Sequence, residues 1–157
     1  MKSGNYSYET MLCKQLELVK PQLILEWGPG FSTIMMAEQC PDADIFSIEH
    51  DKTWLEITKN RLEPYSSKIR LFYKQADTRA SQYATNAYSL YDKLGPFDLI
   101  FIDGRRRVEC CFVAMDIIKD TGVIIMHDAE RKSYRRIIDK YINIIDEHDR
   151  TIAFKKL

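Results

Sequence analysis

The chain has 157 residues, of which 45% are hydrophobic and 11% are aromatic, enough for one domain with a buried core. Its 23 Lys and Arg residues balance 23 Asp and Glu residues, so no net field attracts it to nucleic acid or to a membrane. No apolar run approaches the ~18 residues of a membrane span, and the N-terminus has no signal-peptide core. We expect a single soluble, cytoplasmic domain over residues 1–157.

The four cysteines are Cys13, Cys40, Cys110 and Cys111, and none of them has Cys-x-x-Cys spacing. Neither a zinc site nor a disulfide framework is expected from this pattern. We expect buried free thiols, which is consistent with a reducing compartment.

The first part of the chain is predicted to be a polar arm followed by a helix, together spanning residues 1–20. The apolar spacing predicts a helix from about Tyr8 to Lys20. Ser7 is a candidate N-terminal cap for this helix, and Pro21 would end it.

A glycine turn follows the first predicted strand, which is the apolar run Leu23–Leu25. Glu26 ends this run, Gly28-Pro29-Gly30 makes the turn, and Ser32 starts a helix. The turn has neither the lysine of a phosphate loop nor the third small residue of a dinucleotide fingerprint. An acid before the turn suits a cationic ligand and repels pyrophosphate. S-adenosylmethionine carries an ammonium and a sulfonium group, and the loop resembles the first motif of class I methyltransferases. Glu26, Gly28, Gly30 and Ser32 are therefore predicted cofactor-binding residues.

The remainder of the chain alternates strands with helices, which predicts a parallel sheet covered on both faces. The last two strands are predicted to form an antiparallel pair about the turn at Asp149 and Arg150. The predicted strands are Ile45–Glu49, Ile69–Lys74, Phe97–Asp103, Gly122–Met126, Asn143–Glu147 and Ile152–Lys156. One predicted helix follows Asp51, and two others span Val108–Ile118 and Ser133–Tyr141. A weaker helix and a loop are predicted over residues 78–94.

Polar residues collect where each predicted parallel strand ends. Because the carboxyl ends of parallel strands share one edge of the sheet, this edge is the predicted ligand site. The strand-end residues are Glu26, then Glu49-His50-Asp51, then Asp77, Asp103 and finally His127-Asp128.

The second and third strand ends suit an adenosyl ligand. Glu49 lies about 20 residues after the glycines, the spacing at which an acid binds ribose hydroxyls. His50 adjoins it, and Asp77 could accept a hydrogen bond from the adenine amino group. We assign Glu49, His50 and Asp77 to cofactor binding; the alternative is that they are solvated polar residues at strand ends.

The fourth and fifth strand ends suggest catalysis. Asp103 and Asp128 would lie close together and could hold Mg²⁺ or another divalent cation, which would lower the pKa of an acceptor hydroxyl. His127 offers a competing mechanism as a general base, since imidazole titrates near neutrality. Alternatively, Asp103 binds the amino end of the cofactor and Asp128 caps a helix. We therefore predict Asp103, His127 and Asp128 as catalytic, with Asp103 also in the cofactor site.

Arginines cluster beside these two strand ends, in Arg105-Arg106-Arg107 and again from Arg131 onward. Guanidinium groups bind carboxylates and phosphates well. Arg105, Arg107 and Arg131 are therefore predicted to bind an anionic acceptor, although a solvated run of charge would need no function.

The motifs Glu-Trp-Gly-Pro-Gly, Ser-Ile-Glu-His-Asp, Phe-Asp-Leu-Ile-Phe-Ile-Asp-Gly and Met-His-Asp stand in the order found in class I S-adenosylmethionine-dependent methyltransferases. The chain resembles a subgroup of small bacterial and viral members and is similar in layout to glucuronoxylan O-methyltransferases. This resemblance implies a Rossmann-like α/β fold, a mostly parallel seven-stranded sheet with the last strand antiparallel, and S-adenosylmethionine as cofactor. It also implies O-methylation of a small-molecule or glycan-like anionic acceptor.

Two details of the resemblance concern particular residues. Ser3-Gly4 is similar to a Ser-Gly pair that helps close the cofactor site in several O-methyltransferases. Metal-dependent relatives place acids where Asp103 and Asp128 stand, but they usually have Asp-Asp or Asp-Asn after the fifth strand instead of His127-Asp128.

Two alternatives to methyl transfer are a non-catalytic cofactor-binding subunit and an enzyme that cleaves the cofactor. The polar strand ends exceed what binding requires, which favours an enzyme. A nucleic-acid substrate is disfavoured because the fourth strand lacks an Asn/Asp-Pro-Pro-Tyr-like motif. The chain also lacks insertions that usually form an acceptor pocket. Either the acceptor is large and brings its own surface, or a neighbouring subunit of a homo-oligomer completes the site.

Overall fold

The computed structural model of the chain describes residues 6–77 and 82–157. Its helices and strands alternate as the sequence predicts. The strands are β1 (Leu23–Trp27), β2 (Asp44–Glu49), β3 (Ile69–Tyr73), β4 (Phe97–Ile102), β5 (Ile118–His127), β6 (Ile142–His148) and β7 (Thr151–Lys156). The α-helices are α1 (Glu9–Val19), α2 (Phe31–Gln39), α3 (Lys52–Arg61), α4 (Asn86–Leu94), α5 (Arg107–Ile117) and α6 (Lys132–Ile138).

The seven strands form one sheet in the order β3-β2-β1-β4-β5-β7-β6. Strands β1 to β5 pair in parallel, whereas β7 runs antiparallel to both of its neighbours, β5 and β6. The predicted fold is confirmed. The chain returns from the β3 edge to place β4 on the other side of β1, and ligands of open α/β sheets bind at such a switch point.

Two hydrophobic cores cover the two faces of the sheet. Successive strand residues point to opposite faces, so Leu25 and Trp27 pack with α4 and α5, while Ile24 packs with α1 and α2. All three of these side chains are fully buried. Glu26 interrupts this apolar strand as a fully buried carboxylate.

Strand β5 starts earlier than predicted, at Ile118 instead of Gly122, and α5 ends at Ile117, one residue before its predicted end. Ile118 is buried and pairs with Phe97 before a register irregularity in the β4–β5 ladder. A Cβ on Gly122 would lie 2.7 Å from the Ile118 side chain and 2.9 Å from the Asp98 carbonyl oxygen. Gly122 is therefore a close-packing position within the irregular strand instead of a strand boundary.

The predicted helix caps have different outcomes. Asp51 caps α3 as expected, because its Oδ1 accepts a 2.8 Å hydrogen bond from the Trp54 backbone N–H. The prediction for Ser7 is wrong: Tyr8 occupies the N-cap position of α1 without a side-chain cap, and the Ser7 hydroxyl bonds to His127. The closing turn at Asp149 is present, with a positive φ of 50°.

Two expectations from composition can be compared with the described part of the chain. None of its helices is long and apolar enough to cross a membrane. The thiols are free, and Cys110 and Cys111 are buried, whereas Cys13 and Cys40 are partly exposed.

Candidate active site

A cleft of about 1040 Å³ opens at the carboxyl ends of β1, β2, β4 and β5. Its size suits a nucleotide-like ligand together with a second small molecule. The sequence-predicted residues that line it are Gly28, Gly30, Ser32, Glu49, His50, Asp103, Arg105, Arg107, His127 and Arg131. The predicted residues Glu26, Asp77 and Asp128 are not part of this lining.

The glycine turn packs directly against the loop that follows β4. Gly28 has a φ of +88°, and a Cβ there would lie 2.8 Å from the backbone of Asp103 and of Gly104. Only glycine fits this position without strain. Gly30 differs, because a Cβ there would meet only the Trp54 ring at 3.7 Å. The close approach at Gly28 is what joins the two loops at the floor of the cleft.

Glu26 lies behind the turn and is fully buried. Its carboxylate accepts hydrogen bonds from Ser32 Oγ at 2.5 Å, Thr33 Oγ1 at 2.7 Å and Ser47 Oγ at 2.8 Å. Burial raises the pKa of Glu26 to about 7, partly offset by these hydroxyl donors. The carboxylate thus ties β1 to α2 and β2. Direct contact between Glu26 and a ligand stays a prediction.

Glu49 is 98% buried and is held by the start of the next loop. Its Oε1 accepts hydrogen bonds from the backbone N–H groups of His50 at 2.6 Å and of Asp51 at 2.8 Å. His50 Nδ1 also lies 2.7 Å from this oxygen. Within the described chain no group donates to Oε2. That oxygen can accept hydrogen bonds from the hydroxyl groups of a ligand.

Asp103, His127 and Ser7 form one hydrogen-bonded chain across the cleft. His127 Nδ1 lies 2.7 Å from Asp103 Oδ1, and His127 Nε2 lies 2.6 Å from Ser7 Oγ. The carboxylate holds the proton on Nδ1, which leaves the lone pair of Nε2 to accept a proton. This is the arrangement of a general base oriented by a carboxylate.

Asp128 belongs to the support of the cleft. It is 7% exposed, and its backbone adopts a left-handed φ of 54°. Its Oδ2 lies 3.2 Å from Arg107 Nη1 and 3.0 Å from Arg131 Nη2, and its Oδ1 pairs with Arg150. Its Oδ1 is 3.7 Å from His127 Nε2, beyond hydrogen-bond distance. These contacts favour a supporting role for Asp128, and its catalytic role stays a prediction.

The predicted metal site of Asp103 and Asp128 does not fit a divalent cation. Three guanidinium groups surround the Asp128 carboxylate, and Asp103 Oδ1 is shared by His127 and by Arg107 Nη2 at 3.1 Å. A cation at these oxygens would face several positive charges at close range. Among residues 6–77 and 82–157, no group of three or more His, Cys, Asp or Glu side chains could hold a metal ion.

The predicted acceptor-binding arginines fall into two groups. The Arg107 guanidinium is about one-tenth exposed and donates to the carbonyl oxygens of Gly104 at 2.9 Å and His127 at 2.5 Å. It therefore links the end of β4 to the end of β5, and these bonds leave it poorly placed to bind an acceptor. Arg105 and Arg131 are the exposed members. Arg105 Nε lies 3.4 Å from His50 Nε2, and Arg131 bonds to Tyr134 Oη at 3.1 Å.

Aromatic side chains form much of the cleft wall, and the sequence reasoning missed them. Tyr6 stacks on Phe31 and Tyr8, with ring centroids 5.0 and 5.4 Å apart. Trp54 is 38% exposed and lines the cleft, where its Nε1 donates to the Pro29 carbonyl at 2.7 Å. The available signals were the two tyrosines in an otherwise polar arm and a tryptophan soon after a cap.

Three predictions fall at the limits of the described chain. Ser3-Gly4 and residues 78–81, which begin the predicted helix and loop over residues 78–94, lie outside the described residues. Asp77, the predicted adenine partner, is exposed at the edge of the second gap. Its neighbour Ala76 is buried, and the Ala76 carbonyl accepts a hydrogen bond from Arg106 Nη1 at 3.2 Å.

The family comparison bears directly on this cleft. A family model described as a methyltransferase domain matches residues 25–129, which run from β1 to the end of the loop after β5. The chain belongs to this family. The match contains strands β2 to β5, the end of β1 and the strand ends that build the cleft, so the resemblance to class I S-adenosylmethionine-dependent methyltransferases is confirmed.

Solved structures share the fold of this methyltransferase domain. A methyltransferase-like protein from Silicibacter pomeroyi is 19% identical, with a TM-score of 0.79 over 99% of this chain and 88% of that one. The O-methyltransferase TomG from Streptomyces achromogenes, involved in tomaymycin synthesis and crystallised with S-adenosylmethionine, is 18% identical, with a TM-score of 0.71 over 94% and 78%. An O-methyltransferase from Bacillus cereus, in complex with S-adenosylhomocysteine, is 17% identical, with a TM-score of 0.73 over 93% and 79%.

The residues of the cleft fit S-adenosylmethionine. The turn at Gly28 carries no side chain that would obstruct a ligand, and Glu49 Oε2 can accept from hydroxyl groups at the adjacent strand end. The buried acid Glu49 places negative charge at this half of the cleft, which suits a ligand that carries a sulfonium group.

Proposed function

We propose that the protein is an S-adenosylmethionine-dependent O-methyltransferase that acts on a small-molecule or glycan-like anionic acceptor. The observation that carries this proposal is the 2.7 Å hydrogen bond between Asp103 Oδ1 and His127 Nδ1 at the edge of the cleft. A protein that only binds the cofactor has no need of an oriented base there, and nothing in the cleft favours a cofactor-cleaving enzyme.

The cofactor, when bound, supplies an electrophilic methyl group on a sulfonium. In the proposed arrangement Glu49 binds the ribose hydroxyls through Oε2, and the Gly28–Gly30 turn accommodates the amino acid portion. Ser32 at the start of α2 lies beside this turn and lines the cleft. Asp77 remains the candidate partner of the adenine amino group.

His127 is the proposed general base. It removes the proton from the acceptor hydroxyl as the oxygen bonds to the methyl group, a step that a positioned base accelerates by about 10²–10⁴-fold. Asp103 then stabilises the imidazolium through Nδ1–H. Arg107, 3.1 Å from the same Asp103 oxygen, fixes the position of the carboxylate.

The anionic character of the acceptor follows from the exposed cations at the rim. Arg105 and Arg131 both line the cleft, and Arg131 lies over the Tyr134 ring with 5.5 Å between its Cζ and the ring centroid. A carboxylate or phosphate at this rim would meet two guanidinium groups. A homo-oligomer that completes the acceptor side of the cleft is part of the same proposal.

The test begins with isothermal titration using S-adenosylmethionine and S-adenosylhomocysteine. Turnover is then measured as S-adenosylhomocysteine formation with two anionic probes, 3,4-dihydroxybenzoate and glucuronate, and with their uncharged counterparts catechol and glucose. We expect binding of both cofactor forms, and turnover with at least one anionic probe that EDTA does not reduce. Failure to bind either cofactor form would refute the cofactor assignment, whereas donor consumption without any acceptor would indicate cleavage.

A further inference from the structure

Ser7 covers the nitrogen through which the proposed base must act. Its Oγ lies 2.6 Å from His127 Nε2, while the other ring nitrogen is bonded to Asp103. An acceptor hydroxyl that gives its proton to this imidazole therefore meets Ser7 first. The serine must either leave that position or take part in the proton transfer.

Aromatic contacts hold Ser7 in place from both sides. Tyr8 is 5% exposed and packs edge-on against the His127 and Phe101 rings, with centroids 5.2 and 5.3 Å apart. Tyr6 stacks on Phe31 at 5.0 Å. These contacts fix the Ser7 backbone beside His127, which favours a serine that stays within reach of Nε2 during the reaction.

The position of Ser7 also suits contact with an acceptor. Its two neighbours, Tyr6 and Tyr8, both line the cleft, and Ser7, which is not itself part of that lining, is partly exposed between them. A hydroxyl can donate one hydrogen bond and accept others at the same time. Ser7 can therefore donate to His127 Nε2 and accept from an acceptor hydroxyl.

We propose that Ser7 is a catalytic proton relay between the acceptor hydroxyl and His127, an inference that rests on the proposed O-methyltransferase function. The acceptor proton passes to Ser7 Oγ, and the proton of Ser7 passes to His127 Nε2, giving an imidazolium that Asp103 stabilises. The acceptor oxygen uses its freed electron pair to bond the methyl carbon. The carbon–sulfur bond breaks with its pair left on sulfur, so Ser7 ends the step as a neutral hydroxyl.

The first test needs neither cofactor nor acceptor. Nitrogen-15 spectra of histidine-labelled protein distinguish ring nitrogens that accept a hydrogen bond, and the His127→Gln variant assigns the resonances among the three histidines. We expect Ser7→Ala to move the Nε2 resonance of His127 downfield, because the lone pair loses its donor, and Ser7→Thr to restore it. The matched control is Ser89→Ala, which removes a hydroxyl that donates to the Asn86 carbonyl in the first turn of α4.

The second test measures turnover of 3,4-dihydroxybenzoate and of glucuronate with the same variants. A relay predicts that Ser7→Ala lowers kcat by at least about tenfold with little change in KM. Ser7→Thr should keep most of the activity, since it retains a hydroxyl, and cofactor affinity measured by titration should not change.

Several outcomes would overturn the relay. An unchanged or higher kcat in Ser7→Ala would mean that Ser7 only covers the base and is displaced by the acceptor. The gain of one methyl group on Ser7, found by mass spectrometry after incubation with the cofactor alone, would make it an acceptor. If neither probe is methylated by the wild type, the proposed function fails on its own test. The relay is then decided by the histidine spectra, where an unmoved Nε2 resonance refutes it.

Discussion

Asp103 and His127 join the ends of two adjacent parallel strands through a hydrogen bond of 2.7 Å. Strands β4 and β5 pair up to Ile102 and Met126, so the two functional residues are the first to leave the ladder on each side. The sheet therefore sets their separation and gives the base a rigid support.

Replacing the base should affect turnover far more than binding. We expect His127→Gln to lower kcat by about 10²–10⁴-fold while the Kd for S-adenosylmethionine stays within about threefold. Asp103→Asn should lower kcat as well, because an amide does not fix the required tautomer. Titration and turnover with the anionic probes measure both quantities. A loss of cofactor affinity in Asp103→Asn would instead place Asp103 in the cofactor site.

Asp128→Asn should reduce stability. The substitution keeps the shape of a residue that tolerates φ of 54° but removes the charge that Arg107, Arg131 and Arg150 share. We expect a loss of about 2 kcal/mol in the free energy of unfolding, measured in urea. The control is Asp120→Asn, since Asp120 has a side chain that is 91% exposed. An equally small effect in both variants would contradict the structural role of Asp128.

Glu26 should make stability depend on pH in the direction opposite to an ordinary paired acid. Its pKa is raised from 4.5 to about 7 by burial, so the folded state binds more protons than the unfolded state between these values. The free energy of unfolding should therefore fall, by up to about 3 kcal/mol, as the pH rises through this window. Unfolding in urea at several pH values should show a flatter profile for Glu26→Gln. If the free energy of unfolding changes with pH equally in the wild type and in Glu26→Gln, Glu26 is not the group responsible.

The two glycines of the turn should respond differently to alanine. Gly28→Ala forces a Cβ to within 2.8 Å of the β4 loop at a φ of +88°, and we expect at least a tenfold weaker Kd for the cofactor, from about 1–3 kcal/mol of strain. Gly30→Ala meets only the Trp54 ring at 3.7 Å and should bind almost normally. Calorimetric titration compares the two, and equal effects would show that the turn is not shaped by the contact at Gly28.

Arg131 should contribute to acceptor recognition. We expect Arg131→Ala to raise KM for an anionic probe by about tenfold, the effect of losing one charge-assisted hydrogen bond, with kcat changed much less. Arg136→Ala, an exposed arginine on α6 that does not line the cleft, is the control. If the ratio of KM values for charged and uncharged probes is the same in Arg131→Ala as in the wild type, the result would argue against an anionic acceptor.

The strand ends could be predicted because their signals are local. The glycine turn follows an apolar run directly, and Glu49, Asp103 and His127 each come at or just after such a run. Parallel pairing then brings these positions to one edge whatever their separation in sequence. The meeting of these strand ends at one cleft was accordingly predictable, whereas the role of each residue in cofactor binding stays a prediction.

The partners of charged side chains could not be predicted in the same way. A run of arginines gives no sign that Arg107 bonds backward to the β4 and β5 loops while Arg105 stays exposed. Asp128, one of the two acids proposed for a metal, is surrounded by guanidinium groups from α5, from the residue before α6 and from the β6–β7 turn. Those elements come together only when the sheet closes.

The sequence by itself determined the order of strands and helices, the glycine turn and the acids at the strand ends, because each depends on neighbouring residues. Only the tertiary structure decided that Ser7 meets His127 across 120 positions and that Asp128 supports the cleft. Those contacts arise when α1 packs on the sheet and when the β6–β7 turn returns beside β5. Such long-range contacts depend on how packed surfaces fit together, and local sequence patterns do not predict that fit.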